Sequence, residues 1–517
     1  MAANDFLDRL GFAGDPFEST NADQEPNLDS YFVPPPYFPT VVGDPDSPQS
    51  HVVLAPRGGG KTAQRRMVEQ KSAADGDFLC ITYDRFDQLD DFKVSQASWA
   101  YHVNQLCRLM LFGLLVKFED DPDLAYLLSD RQKQVLKFQV SRFLGSLSAE
   151  EVGAAVDSLK NFGDKAHDFW HKYGGPVAVL TAAILKKMGF DGVELPKDLA
   201  EESRRDDNLR FHFDQLLAIA QQVGFKSTYL LVDKVDELSL TSNSADASFE
   251  FIKSLLTDLP TLESSGVAFK FFLWDKYEDA YRAGGSRPDR IPIFTLKWSI
   301  AELEIMLTQR LRAYSHDQID SLNQLTAAGS GINLHRLVCI LATGSPRDMI
   351  RLGKRIFAEE TRAGVSSSAI SEDAVWQGIR EFSSAKAQEI IPNYIGELTR
   401  VGKPTFTTNH VGSEVFRISD NAARRKLQLW GDSGAVQKIG EIPNRNRPSH
   451  LYGVVDLRVA VAMLPAVDVP LILGNYALVC PSCEDICITD RQEVDCPWCS
   501  SHFQVSAVNS LLQDCGG

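Results

Sequence analysis

A surplus of positive charge is what this chain lacks first: 53 Lys and Arg stand against 69 Asp and Glu, a formal net charge of -16. That balance excludes a protein that coats nucleic acid indiscriminately, and it leaves room only for a local basic face. Long apolar runs are missing too. No stretch reaches the roughly 18 uninterrupted apolar residues that a membrane helix needs. Val177 to Leu185 is too short, and Val459 to Leu473 is broken by Pro465, Asp468 and Pro470, so no membrane partner is expected. The opening MAANDFLDRLGF has no basic stretch followed by an apolar one, so export is not expected and a cytoplasmic setting is. Nine cysteines do not spread out as a disulfide framework. Cys80, Cys107 and Cys339 stand alone in apolar surroundings, whereas Cys480, Cys483, Cys487, Cys496 and Cys499 crowd together, which in a cytosolic chain points to metal.

A glycine-rich loop is what the chain does have. Val52-Val53-Leu54-Ala55 reads as a short buried strand and runs directly into Pro56-Arg57-Gly58-Gly59-Gly60-Lys61-Thr62, then into the helix-like AQRRMVEQK. Glycine lets the backbone curl so that successive N–H groups face one anion, and a helix start adds its positive end. In the GxxxxGK[ST] pattern, relaxed here at Ala55, Arg57 to Gly60 cradle the phosphates, Lys61 reaches the β- and γ-phosphates, and Thr62 holds Mg²⁺. An ordinary glycine turn is the alternative. The strand before it and the Lys-Thr offset argue against that.

Leu230-Leu231-Val232-Asp233 supplies the second half of such a site, a buried strand ending in a carboxylate that orders the Mg²⁺ shell through water. A capping Asp after a core strand is the plainer reading. Many ATPases place Glu directly after the metal Asp; here that position is Lys234, so Asp236 and Glu237 become the candidates for polarising the attacking water. A further strand, Val267 to Trp274, ends in Asp275, a weaker γ-phosphate sensor. Arg290, ahead of the strand IPIFTL, is either a contact to a neighbouring subunit's nucleotide or a solvated loop arginine.

Between Tyr83 and Ser227 the apolar residues recur three and four apart, so a helical insertion of about 100–225 is expected, with no chemistry of its own. Gly11 to Pro39 is too irregular for a helix and reads as an arm, either strapped across the core or lining an adenine pocket. After Ser299 the pattern turns helical: Ser299 and Glu302 form a capping box, and Arg347 follows a Gly-Ser-Pro turn in the first turn of a helix. A cation there is disfavoured by the helix's positive end, which suggests a functional reason.

Together APRGGGKT, LLVDKVDE, the strand after it and ATGSPRDMIRL resemble the AAA+ and STAND branch of P-loop ATPases, most nearly origin-recognition-type initiators, KAP and NACHT ATPases and transposition-associated AAA+ proteins. The resemblance covers roughly 11–360. It implies that Lys61, Thr62 and Asp233 bind Mg-ATP, that Arg347 is a second sensor, that Arg290 is an arginine finger in a homo-oligomer, and that the setting is microbial genome defence or mobile-element control. Asp-Lys-Val-Asp-Glu is closer to NACHT-like sequences than to the Asp-Glu pair of most AAA+ proteins, which points to slow turnover.

Beyond Arg400, a helix, a second helix with Arg424, Arg425 and Lys426, and two strands around Pro443 to Pro448 spell a winged helix, with Arg445 and Arg447 in the wing. Paired basic residues there suit duplex DNA, and protein docking is the alternative. Cys480-Pro-Ser-Cys483 and Cys496-Pro-Trp-Cys499, twelve residues apart, match a Cys₄ zinc ribbon whose intervening hairpin closes the site. Four sulfurs leave Zn²⁺ no open position, so it is structural.

The expected fold is α/β: an N-terminal arm contributing to the nucleotide pocket (1–45), a P-loop core on a parallel sheet with its helical insertion (46–298), a helical lid (299–395), a winged helix (396–473) and a zinc ribbon (474–517). The expected function is an ATP-driven switch on DNA or a partner protein. The rivals are a nucleotide-bound scaffold that recruits an effector protein and a DNA-binding transcription regulator.

Overall fold

Four of the apolar runs become strands buried along their whole length: β1 (His51–Ala55), β2 (Phe78–Tyr83), β3 (Ser227–Val232) and β4 (Val267–Trp274). With β5 (Ile293–Thr295) they form one sheet in the order β2-β3-β4-β1-β5, every pair parallel. Full burial of a parallel sheet requires helices on both faces, and it explains why these strands read as continuous apolar runs. The register pairs Ala55 with Trp274 and Tyr83 with Val232, so the C-terminal tips of β1 to β4 open on one edge. That edge is where parallel sheets place ligands.

The computed structural model describes residues 2–86, 93–144, 151, 159, 168, 186, 209–241, 244–327, 331–363, 369–443 and 448–515. They divide into two units: Ala22–Gln24 with Pro34–Lys297, and Met1–Asn21 with Glu25–Val33 and Trp298–Gly517.

In the sheet unit, helix Trp99–Asp120 is apolar nearly all round and buries thirteen residues, from His102 to Phe118. It shares one core with the sheet and with helices Asp130–Leu144 and Leu209–Gln222. The segment expected as an insertion of about 100–225 therefore begins and ends in helices that cover the sheet itself. Most of what lies between, 145–208, falls outside the described residues.

The other unit is built on helices Ile300–Ser315, Leu334–Leu341, Pro346–Ala363 and Glu372–Ile390. The capping box forms as expected: Ser299 accepts from the Glu302 N–H while Glu302 accepts from the Ser299 N–H. Most of the N-terminal arm, Met1–Asn21 and Glu25–Val33, belongs to this unit, while Ala22–Gln24 and the chain from Pro34 belong to the sheet unit. Helix Ala2–Leu10 precedes the stretch expected to be irregular, Gly11 to Pro39, which itself holds a turn of helix at Leu28–Tyr31. Aromatic packing decides the arm's place: Phe6, Phe12 and Phe17 surround Phe357 at ring distances of 5.7, 6.1 and 5.0 Å. The buried Arg310 guanidinium pairs with Glu25 at 2.6 Å and lies 4.7 Å from the Tyr31 ring. Of the arm's aromatics, Tyr37 instead stacks on Phe294 of β5 in the sheet unit, 4.9 Å between rings.

Further along, β6 (Thr405–Thr407), β7 (Val436–Ile442) and β8 (Ser449–Val454) make an antiparallel sheet in the order β6-β8-β7, flanked by helices Ile395–Val401 and Asp420–Asp432. This is a winged-helix arrangement. The first helix expected beyond Arg400 is instead β6 followed by a π-helical turn, His410–Phe416. In the tail, β9 (Ala477–Val479) pairs with β10 (Ile486–Ile488), and β11 (Glu493–Asp495) with β12 (His502–Gln504). Each CxxC pair thus caps its own hairpin, in place of the single intervening hairpin expected. Among the described residues no helix is long and apolar enough to cross a membrane.

Candidate functional site

The glycine loop lies at the tip of β1. Gly58 (φ 79°) and Gly60 (φ 99°) occupy the left-handed region, and a Cβ on Gly59 would stand 3.0 Å from the Pro56 carbonyl oxygen. Only glycines allow this curl at so tight an approach. Helix Lys61–Asp75 starts directly after it. The Lys61 ammonium is buried and donates to the carbonyls of Ala55 and Pro56 at 3.2 and 3.3 Å, so it stands over its own loop. Curled backbone, a helix start and an ammonium at one strand tip are the groups from which an anion site is built.

Asp233 follows β3 and is 1% exposed. Its Oδ2 accepts from the Thr62 hydroxyl at 2.9 Å and from Arg65 Nε at 3.0 Å, while its Oδ1 accepts from the Lys234 backbone N–H at 2.9 Å. The Thr62 hydroxyl has one proton and spends it on Asp233, which leaves its lone pairs for a cation. Sequence reasoning placed Thr62 and Asp233 at one Mg²⁺ position, and the structure brings the two side chains together.

Arg65 was not foreseen. Its guanidinium is fully buried and also bonds Glu69 and Asp23, with Asp84 4.0 Å away. Burial works against its charge, but Glu69, Asp233, Asp23 and Asp84 outweigh it and hold its pKa above the ordinary value. Lys234, left-handed at φ 60°, donates from Nζ to Asp23 at 2.7 Å and stands 3.3 Å from Asp84. Burial opposes the Lys234 charge as well, and its two carboxylate partners still raise its pKa. The position where many ATPases carry a carboxylate therefore holds a committed ammonium.

β4 lies between β1 and β3, so its tip, Trp274-Asp275, separates the loop from Asp233 along the sheet edge. Arg57 stacks over Trp274 at 4.3 Å and bonds the Asp236 carboxylate at 2.9 Å and the Asp236 carbonyl at 2.5 Å. Arg57, expected on the phosphates, is thus turned onto Asp236, and Asp236 onto Arg57. Glu237 is exposed in the same short 3₁₀ turn. Arg290 is 45% exposed and pairs with Glu263.

In the other unit, Arg347 is half-buried in the first turn of helix Pro346–Ala363. Its neighbour Asp348 is buried and bonds Lys386 at 2.9 Å and Arg458 at 3.0 Å. Arg424 and Arg425 are exposed on helix Asp420–Asp432. Lys426 differs from that pair, being turned onto Glu397 and lying 4.9 Å from the Phe416 ring, so it packs the helix instead of facing solvent. Arg445 and Arg447 lie outside the described residues.

Cys480, Cys483, Cys496 and Cys499 bring their sulfurs within 4.8 Å of one another. The Cys480–Cys499 and Cys483–Cys496 sulfurs are each 3.7 Å apart. Four sulfurs about 2.3 Å from a central Zn²⁺ would stand about 3.8 Å apart at tetrahedral corners, so the group could hold that ion. Cys487 is buried beside the group but outside it, and His502 bonds Asp495.

No family model matches the chain, and no curated protein matches it. Among solved structures, the Aeropyrum pernix ORC2 protein, described in ADPNP-ADP complexes, is 12% identical, with 86% of this chain and 98% of that one covered at a TM-score of 0.38. CDC6P from Pyrobaculum aerophilum is 11% identical, with 88% and 99% covered at a TM-score of 0.33. At such scores the overlap carries no argument about function.

Proposed function

We propose that the chain is a P-loop ATPase of AAA+ type, a slow ATP-dependent switch acting on DNA or on a partner protein. The observation that carries this reading is the bond from the Thr62 hydroxyl to Asp233, made across 171 residues at the foot of a glycine cradle. The residues present fit Mg-ATP: amides of Gly58 to Gly60 and the Lys61 ammonium for the phosphates, Thr62 lone pairs and the Asp233 carboxylate for Mg²⁺. When bound, Mg-ATP supplies the phosphoanhydride whose presence or loss defines the two states of a switch. Arg347 as second sensor and Arg290 as the arginine given to a neighbouring copy are roles proposed from the resemblance; the exposure of Arg290 suits the second. Arg424 and Arg425 are the proposed duplex contacts, together with Arg445 and Arg447, which lie outside the described residues, and the Cys₄ group is proposed to hold structural Zn²⁺. The proposed setting is cytoplasmic, in microbial genome defence or mobile-element control.

A second reading has its own observation. Lys234, at the position where a water-polarising Glu is usual, is held by Asp23 and Asp84, and Asp236, one of the two remaining candidates, is held by Arg57. That arrangement suits a scaffold that binds nucleotide without turnover and recruits an effector. Phosphate release by the full chain, with and without duplex DNA, separates the two. Release that disappears in Asp236→Asn supports the switch, and no release under either condition supports the scaffold.

A further inference from the structure

We propose that Arg65 is a positioning residue for the divalent cation: it locks the Asp233 carboxylate in the orientation that leaves Thr62 ready for Mg²⁺. The inference rests on the nucleotide-binding reading above and adds to it a residue that neither the motif nor the resemblance assigns.

Arg65 stands one helical turn after Lys61 and Thr62, on the face that meets β3. Its three nitrogens all engage carboxylates: Nε bonds Asp233, Nη1 bonds Glu69 and Nη2 bonds Asp23. Glu69 is itself fixed by the Thr82 hydroxyl of β2, and Asp23 by the Lys234 ammonium. The fork is therefore held from three directions, by the next turn of its own helix, by the arm and by the strand tip.

Stability alone does not explain a guanidinium in this place. Replacing a buried ion pair by well-packed apolar residues is often neutral or favourable, so such a pair is weak support for folding as its purpose. What the pair does here is geometric. An ionised carboxylate has about four lone-pair sites. Asp233 fills three of them, with the Thr62 hydroxyl, Arg65 Nε and the Lys234 N–H. Rotation about the Asp233 side chain would break all three bonds together. One site is left, which suits a single water on a cation held by Thr62, and the Thr62 proton is kept pointing away from that cation. Partners standing behind a ligand in this way typically alter metal affinity by about 10- to 100-fold when removed. Lysine cannot replace Arg65, because one ammonium does not span the same fork of carboxylates.

The test measures binding, not turnover, on the full chain. A fluorescent ATP analogue is titrated in EDTA and then at rising Mg²⁺, with Mn²⁺ as a spectroscopic substitute. In Arg65→Gln, nucleotide affinity in EDTA should stay within about twofold of wild type, while the Mg²⁺ needed for its half-maximal effect should rise about tenfold or more. Asp23→Asn, which loosens Arg65 from outside the helix, should move the Mg²⁺ requirement in the same direction by less. A Mg²⁺ requirement equal to wild type in folded Arg65→Gln overturns the proposal. Should that variant not fold, an unchanged requirement in Asp23→Asn overturns it instead. Absence of any nucleotide binding by the wild-type chain is a different failure, since it removes the ATPase reading itself.

Discussion

Lys270 offers a sharp test of how the sheet is built. It stands in the central strand β4 with no exposed surface. Its Nζ bonds the Gln49 carbonyl at 2.7 Å and His51 Nδ1 at 3.1 Å and lies 4.8 Å from the Tyr229 ring, so none of these partners is a carboxylate. Burial lowers its pKa from 10.5 to about 7. Burial, with Lys270 beside it, likewise lowers His51 to about 3. The folded amine thus gives up its proton far below the unfolded one. Between pH 7 and 10.5 the unfolded chain holds more protons, so stability rises with pH across that window and flattens outside it. The gap between 10.5 and about 7, about 3.5 pH units at about 1.4 kcal/mol each, comes to about 5 kcal/mol. Relaxation around a buried charge reduces such figures, so roughly 2–5 kcal/mol is expected. Lys270→Met removes the titration but leaves the Gln49 carbonyl and His51 Nδ1 without their donor, a pH-independent loss of about 1–3 kcal/mol per group. Wild type should therefore gain on the variant by several kcal/mol from pH 7 to pH 10. Urea unfolding at fixed pH, read by pulsed hydrogen exchange of the peptides that carry β1 and β4, reports this sheet separately from the C-terminal unit. A wild-type-minus-variant difference that stays flat from pH 7 to pH 10 would refute the reasoning.

Three further outcomes follow from the same geometry. The purified chain should carry one zinc by elemental analysis, and Cys480→Ser with Cys483→Ser should lose it and expose the ribbon to protease, because its own core is little more than Leu478, Val494, Phe503 and the cysteines; nucleotide affinity should not change. A Cβ at Gly353 would lie 2.5 Å from the Phe17 ring, so Gly353→Ala should cost about 1–3 kcal/mol and free the N-terminal arm to protease. Arg424→Ala with Arg425→Ala should weaken duplex DNA binding and lower its logarithmic salt slope by about two. Lys426→Ala, by contrast, should act through stability, since its partners are Glu397 and Phe416.

What could be read in the sequence was whatever is local. The glycine loop, the Ser299–Glu302 box and the two CxxC pairs are contiguous patterns whose physics closes within a few residues; the loop and the box take the expected local form, and the four cysteines come together as expected although each pair caps its own hairpin. Asp233 was legible because a buried strand must end somewhere polar. Arg65 was not, because its meaning comes from partners 168 and 42 residues away, and in sequence it is one of two adjacent arginines on an ordinary helix. Lys270 left a trace, a lysine interrupting the apolar run of β4, but such a lysine reads equally as an edge strand. The three-residue β6 is too short for its alternation to show. The arm's apolar residues are spaced by prolines and acids, so no periodicity tells that Phe17 belongs against Phe357. Helix Trp99–Asp120 was legible as a helix but not as the cover of the sheet, since burial on nearly every face does not name the neighbour.

The central claim is that the cradle of Gly58 to Gly60, with Lys61, Thr62 and Asp233, captures Mg-ATP. Isothermal titration of the full-length chain with ATP in the presence of Mg²⁺ tests it most directly. Saturable heat near one nucleotide per chain, lost in Lys61→Ala while that variant keeps the wild-type circular dichroism, is the predicted result. No heat from the wild type, or equal heat from Lys61→Ala, would contradict it.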